Sequence, residues 1–165
     1  MSYLRFAAMI ATSTVVMYGL MYLNTYQFDH VFYSQTRLWM ALLMGAVMAV
    51  IMLGFMWTMY KKRTANFAII AGAVAVFAGS LFLVRSQALV GDVDYMRAMI
   101  PHHSIAVLTS TNANIRDARV RELADKIIAA QVREIDEMKS LIADLEASPP
   151  PADAPVLAPR PVDGP

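Results

Sequence analysis

The sequence predicts an all-α protein: three transmembrane helices, then an extramembrane antiparallel helical hairpin, then a proline-rich tail. Three observations carry this. First, 58% of the residues are hydrophobic and only 16% are charged, against roughly 45–50% and 25% in an average soluble domain. Second, the charges are unevenly placed. Residues 1–91 hold Arg5, Asp29, Arg37, Lys61, Lys62, Arg63 and Arg85, net +5, while the other 74 residues hold twenty charges, net −4. Third, seven of the eight prolines lie between Ser148 and Pro165.

The same composition excludes several functions. No basic patch exceeds Lys61 to Arg63, so no nucleic-acid partner is expected. The chain has no cysteine, which removes disulfides, thiolate zinc sites, cysteine-ligated clusters and cysteine catalysis.

The membrane domain, residues 1–91, contains three apolar stretches: 3–23, 38–60 and 65–84. Each has about 20 residues, which as a helix spans a ~30 Å hydrocarbon core. The first is read as a retained anchor. Its apolar run is longer than the roughly 7–15 residues of a signal peptide, and no small-x-small cleavage site follows Leu20. Lys61, Lys62 and Arg63 sit in the short loop between the second and third helices, so the positive-inside rule makes that loop cytoplasmic. The N-terminus is then cytoplasmic too. The segment from Asn24 to Thr36 and everything after Arg85 lie outside, which in a bacterium means an inner-membrane protein with a periplasmic domain. Tyr22, Tyr26, Phe28, Phe32, Tyr33 and Trp39 mark one membrane border, Trp57 and Tyr60 the other.

The second helix carries Met40, Met44, Met48, Met52 and Met56. Such a row is either a thioether ladder for a soft metal or adaptable packing. With no intramembrane His, Asp or Glu beside it, packing is the expected role. Ala41, Gly45 and Ala49, Ala68 with Gly72, and Ala75 with Gly79 form strips that allow close helix approach.

Residues 92–147 read as the hairpin. Asp92 is the expected N-cap of a helix from Val93 to about Ala113. Asp117 caps a second helix from Ala118 to about Ala147. The first helix has a heptad-like seam of Met96, Ile100, His103, Val107 and Ser110. The second has Val120, Ala124, Ile127, Gln131, Glu134, Met138, Leu141 and Leu145. His103, Gln131 and Glu134 interrupt these seams, and a buried polar group costs on the order of 1–3 kcal/mol unless it finds a partner. Folding the hairpin about residues 115–116 lets Met96, Met99 and His103 face Gln131, Glu134 and Met138. Thioethers with an imidazole suit Cu(I) better than zinc, magnesium or calcium. Pro101, just before the histidine pair, removes one helical hydrogen bond. On spacing alone, a structural His–Gln–Glu hydrogen-bonded cluster is the better reading.

The run DYMRAMIPHHSIAV followed by ELADKIIAAQVREIDEM resembles the family called domain of unknown function 305. The matching positions are Tyr95, Met99, Ile100, Pro101, His102 and His103, then Ala124, Ile127, Gln131, Glu134, Ile135 and Met138. They cover about a third of the chain. The resemblance implies a ferritin-like bundle outside the cytoplasm, with copper bound through His and Met in some members and a role in copper handling. Two departures stand out. Family members often place a Met a turn or two after the histidine pair, where this chain has Thr109, and they commonly have four helices where this chain supplies two.

A lone hairpin buries little surface. Its seam calls for a second copy, completing a four-helix bundle, for a larger membrane complex, or for its own membrane domain. Two functions follow. One is a membrane-anchored periplasmic copper-binding protein with Met99, His102, His103 and Met138 as ligands, assisted by Met96 and Glu134. The other is a non-catalytic accessory subunit of a respiratory or photosynthetic membrane complex. Neither is an enzyme. A di-iron oxidase needs Glu-x-x-His pairs, and the sequence has none. Proton translocation lacks ionisable residues in the second and third helices. The tail, 148–165, starts Pro149-Pro150-Pro151 and reads as an extended, solvated end. Reporter fusions test the topology: a fusion after residue 63 should read cytoplasmic and one after residue 146 should read outside. A cytoplasmic signal at the second site refutes this orientation.

Overall fold

The computed structural model describes residues 2–151 and 153–160. Five α-helices follow in order: α1 (Tyr3–Leu20), α2 (Gln35–Phe55), α3 (Arg63–Ser86), α4 (Asp92–Asn112) and α5 (Ala118–Ala147). A 3-10 turn, Phe28–His30, lies between α1 and α2. Among the described residues there is no strand. The stretch 149–151 and 153–160 is exposed and not helical; the rest of the expected tail, Ala152 and 161–165, lies outside the described residues.

The first three helices have 18, 21 and 24 residues, about 27 to 36 Å at 1.5 Å per residue. They are long and apolar enough to cross a membrane. Only 6%, 22% and 11% of their apolar windows are buried inside the protein, so most of these side chains face outward. Water disfavours that much exposed apolar surface, and a bilayer accepts it.

Their ends differ from the hydropathy reading for local reasons. In α1 the helix stops at Leu20, and 3-10-type bonds from Tyr22 and Leu23 carry the chain on. α2 starts at Gln35 instead of Leu38 because the Ser34 hydroxyl accepts from the Arg37 amide at 3.2 Å. A polar first turn is invisible to an apolar window but is a good helix start. α2 ends at Phe55, just past Gly54, and 56–60 turn back so that Tyr60 is buried against Tyr3 and Phe6. α3 runs past both expected ends and closes on Gln87, whose φ of 52° is left-handed.

Helix α2 is central, with α1 and α3 packed on it. Its buried face is Ala41, Gly45, Ala46, Ala49 and Leu53, so neighbouring backbones come close. A Cβ on Gly45 would meet Thr14 Oγ1 at 2.4 Å and Thr14 Cγ2 at 3.3 Å. The Thr14 hydroxyl donates to the Ile10 carbonyl at 2.9 Å, which holds that rotamer. In the methionine row, Met52 and Met56 pack on the core of Phe6, Ala46, Ala49, Leu53, Tyr60 and Ala73, the packing role. At the Lys62 end, Asn66 is fully buried. It accepts from the Tyr3 hydroxyl at 2.8 Å and donates to the Tyr60 carbonyl at 2.9 Å, which ties α1 to α3 where direct packing is thin.

α4 and α5 form the antiparallel hairpin. The Asp117 carboxylate caps α5 by accepting from the Arg119 amide at 2.8 Å. The cap of α4 is Gly91, and Asp92 is the first helical residue. Asp92 and Asp94 therefore lie in the first turn, where the helix dipole favours acids. Met96, Ile100, Ile135 and Ile142 form the hairpin core, and Phe32 packs against them. Phe32 belongs to the segment between α1 and α2. That segment also donates the Tyr26 amide to Ser104 Oγ at 2.7 Å and pairs Asp29 with Lys139 at 2.6 Å, and Gln35, the first residue of α2, donates Nε2 to Asp94 at 3.1 Å. Part of the seam is thus covered by the protein's own inter-helix segment.

Gly45→Ala should push α1 off α2 and cost about 1–3 kcal/mol, the usual range for overpacking. Thr14→Ala in the same chain should recover most of that loss in thermal unfolding in detergent. No cost for Gly45→Ala alone contradicts the close approach.

Candidate metal centre

The site grows from two facts about α4. Its residues 96, 99, 100 and 103 fall on one stripe at helical spacing, and that stripe faces α5. Met96, Ile100 and His103 are buried, and Met99 is half-buried. From α5, Glu134 and Met138 face the same groove. The result is a pocket of about 460 Å³ lined by Met96, Met99, His103, Glu134, Glu137 and Met138, with Asp92, Tyr95, Leu141 and Leu145 at its margins.

His103 is held at both nitrogens. Nδ1 lies 3.0 Å from the Met99 carbonyl and Nε2 lies 2.8 Å from Glu134 Oε2. Both facing oxygens are acceptors, so this arrangement satisfies an imidazolium that donates twice. In a neutral ring, Nδ1–H stays on the carbonyl, and Nε2 becomes a free lone pair aimed into the pocket. Anchoring one ring nitrogen to a carbonyl is the arrangement that orients metal-binding histidines. Glu134 is then the competitor a metal must displace.

The His103–Glu134 contact joins residues that lie off the level expected from a fold at 115–116. The hairpin as a whole is displaced this way, since Arg97 meets Glu146, and side-chain direction adds to the offset, because each Cα–Cβ bond leans toward its own helix N-terminus. In an antiparallel pair, His103 leans away from the turn and Glu134 leans toward it, so they meet midway.

Five of the six expected ligands line one pocket. The sixth, His102, is exposed on another face of α4, with its ring centroid 6.1 Å from that of His103. Gln131 is half-buried and is not part of the lining. Thr109 is exposed, and its hydroxyl donates to the Ile105 carbonyl at 3.0 Å. Thr109 is not among the residues lining this pocket. Among the described residues no three His, Cys, Asp or Glu side chains gather to hold a metal ion. The donors that line the pocket are the thioethers of Met96, Met99 and Met138, the imidazole of His103 and the carboxylates of Glu134, Glu137 and Asp92.

Two residues of this region escape sequence reasoning. Ser104 is fully buried beside His103, and His30, 7% exposed, reaches it with Nδ1 at 3.0 Å. The signal for Ser104 was available: it stands four residues after Ile100, on the buried stripe. His30 gave none, because its partner is 74 residues away.

Residues 92–159 match the family model described as Domain of unknown function (DUF305). The segment that matches DUF305 begins at the first residue of α4 and takes in the whole hairpin and the start of the tail. An uncharacterized protein of Acanthamoeba polyphaga mimivirus is 39% identical over 64 residues, which is 38% of this chain and 42% of that protein. The chain therefore spans about two-fifths of the length of the relative it matches. No solved structure matches.

Glu134→Gln keeps the size and removes the charge. It should lower stability by about 1 kcal/mol where Nε2 carries the proton that Glu134 accepts, the worth of a partly exposed charge-assisted hydrogen bond. The midpoint of thermal unfolding checks this, and an unchanged midpoint would show that the pair contributes nothing.

Proposed function

We propose that the protein is a membrane-anchored copper(I)-binding protein whose DUF305-matching hairpin stands on the outer face, and that it is not an enzyme. One observation carries the reading: two helices bring three methionine thioethers and one tethered imidazole to a single pocket. The donor set fits the ion. Cu(I) prefers soft ligands and accepts low coordination numbers. Met99, His103 and Met138 would hold it, with Met96 and Glu134 alongside. His102 points elsewhere and has no part in this site. The bound ion would supply no reaction. The protein's residues hold it, and the carbonyl of Met99 keeps the His103 ring oriented for it.

A second reading keeps one specific support. Between α1, α2 and α3 lies an apolar groove of about 650 Å³ whose walls include Ala7, Ala11, Gly45, Ala49 and Gly72. Such a groove suits a subunit of a larger bacterial membrane complex, with the His103–Glu134 pair purely structural.

Titrating the purified protein with Cu(I) against a competing chelator separates these. On the copper reading the parent competes, His103→Ala loses most of the affinity, and Met138→Leu weakens it at near-constant packing volume. A parent that binds no tighter than the chelator's background overturns the copper reading.

A further inference from the structure

The hairpin is joined to the membrane helices by the short stretch 87–91 and by a second attachment that is buried and polar. The segment between α1 and α2 lays Phe32 on the hairpin core and places His30 on Ser104. Ser104 Oγ accepts the Tyr26 amide at 2.7 Å, which leaves the hydroxyl free to donate to His30 Nδ1 at 3.0 Å. This arrangement suits a neutral ring whose Nδ1 accepts. The charged groups acting on the ring are Asp29 from its own turn, with Oδ1 3.8 Å from Nε2, and Lys139 and Asp136 from α5. α4 contributes the uncharged Ser104.

We infer that His30 is a protonation-sensitive latch. As a neutral imidazole it holds the inter-helix segment on the hairpin, and a proton on the ring releases that segment. Three features of the site carry this. The ring is 7% exposed, so a charge there loses most of its hydration. A protonated Nδ1 must donate to Ser104, so the hydroxyl has to turn its proton elsewhere. Lys139, already paired with Asp29 at 2.6 Å, adds a second positive charge nearby.

Burial, and then the Lys139 charge, hold the ring below its usual value of 6.5, against the opposing pull of Asp29 and Asp136. Above 6.5 the ring is neutral whether docked or free, and the latch has its full strength. Below 6.5 the free ring takes up a proton first, so docking weakens as pH falls toward the docked value. Histidine is the side chain suited to this range. The latch needs no metal, since it concerns how the hairpin is attached.

The test uses the full chain in detergent micelles and hydrogen exchange of residues 24–34, corrected for the intrinsic pH dependence, between about pH 7.5 and about pH 5. Protection of this segment should fall with acid, by at most about tenfold per pH unit since one proton is involved. His30→Asn can keep a hydrogen bond to Ser104 but cannot titrate, so its protection should stay flat. His30→Ala should be poorly protected at both values. Equal protection of the parent at both values overturns the latch. So does the same acid-induced loss in His30→Asn, which would place the titrating group elsewhere.

Discussion

A two-helix hairpin cannot cover both sides of its own seam, and the arrangement of this protein follows from that constraint. Met96, Ile100, Ile135 and Ile142 meet between α4 and α5, and apolar side chains there need a third wall. The segment between α1 and α2 supplies it on one side through Phe32, Tyr26 and His30. This is a long-range solution: the residues of the wall precede those of the seam by some seventy positions. It also binds the fate of the hairpin to the membrane helices, because the wall is strung between two of them.

The other side stays open, and that is where the methionines gather. An open groove lined by aliphatic side chains alone would be a simple packing surface. Here it holds His103 between the Met99 carbonyl and Glu134, within a pocket that three thioethers and two further carboxylates also line. The polar pair has a stabilising role as it stands, since an unpartnered buried imidazole would be costly. On the copper reading proposed above, Nε2 would exchange the Glu134 carboxylate for the ion. Structural and functional readings of His103 therefore share one arrangement and differ in which partner Nε2 keeps.

The membrane unit is organised by smallness. α2 meets its neighbours through alanine and glycine, and Thr14 sits where a Cβ of residue 45 would be. Close backbones give dispersion contact where lipid removes the hydrophobic drive between helices. At one end Asn66 links Tyr3 and Tyr60. At the other, the Arg37 guanidinium donates to the Met21 carbonyl at 2.5 Å and covers the Tyr22 ring at 4.4 Å. These polar ties fix the helix ends that apolar packing leaves loose.

Much of this was legible from the residues in order. The uncharged runs of α2 and α3, the Asp117 cap, the α4 stripe through Met96, Ile100 and His103, and the closeness of His103 to Glu134 all follow from local periodicity. Helix geometry is set by nearest neighbours in sequence, and a short turn forces two helices together. The polar start of α2 at Ser34 and the inward turn at Tyr60 depended on partners that hydropathy does not see. His30 on Ser104, His102 turned outward, and Thr109 away from the pocket were decided by tertiary structure alone. Each depends on which side of α4 another element covers, and that is fixed by packing between segments far apart in the chain.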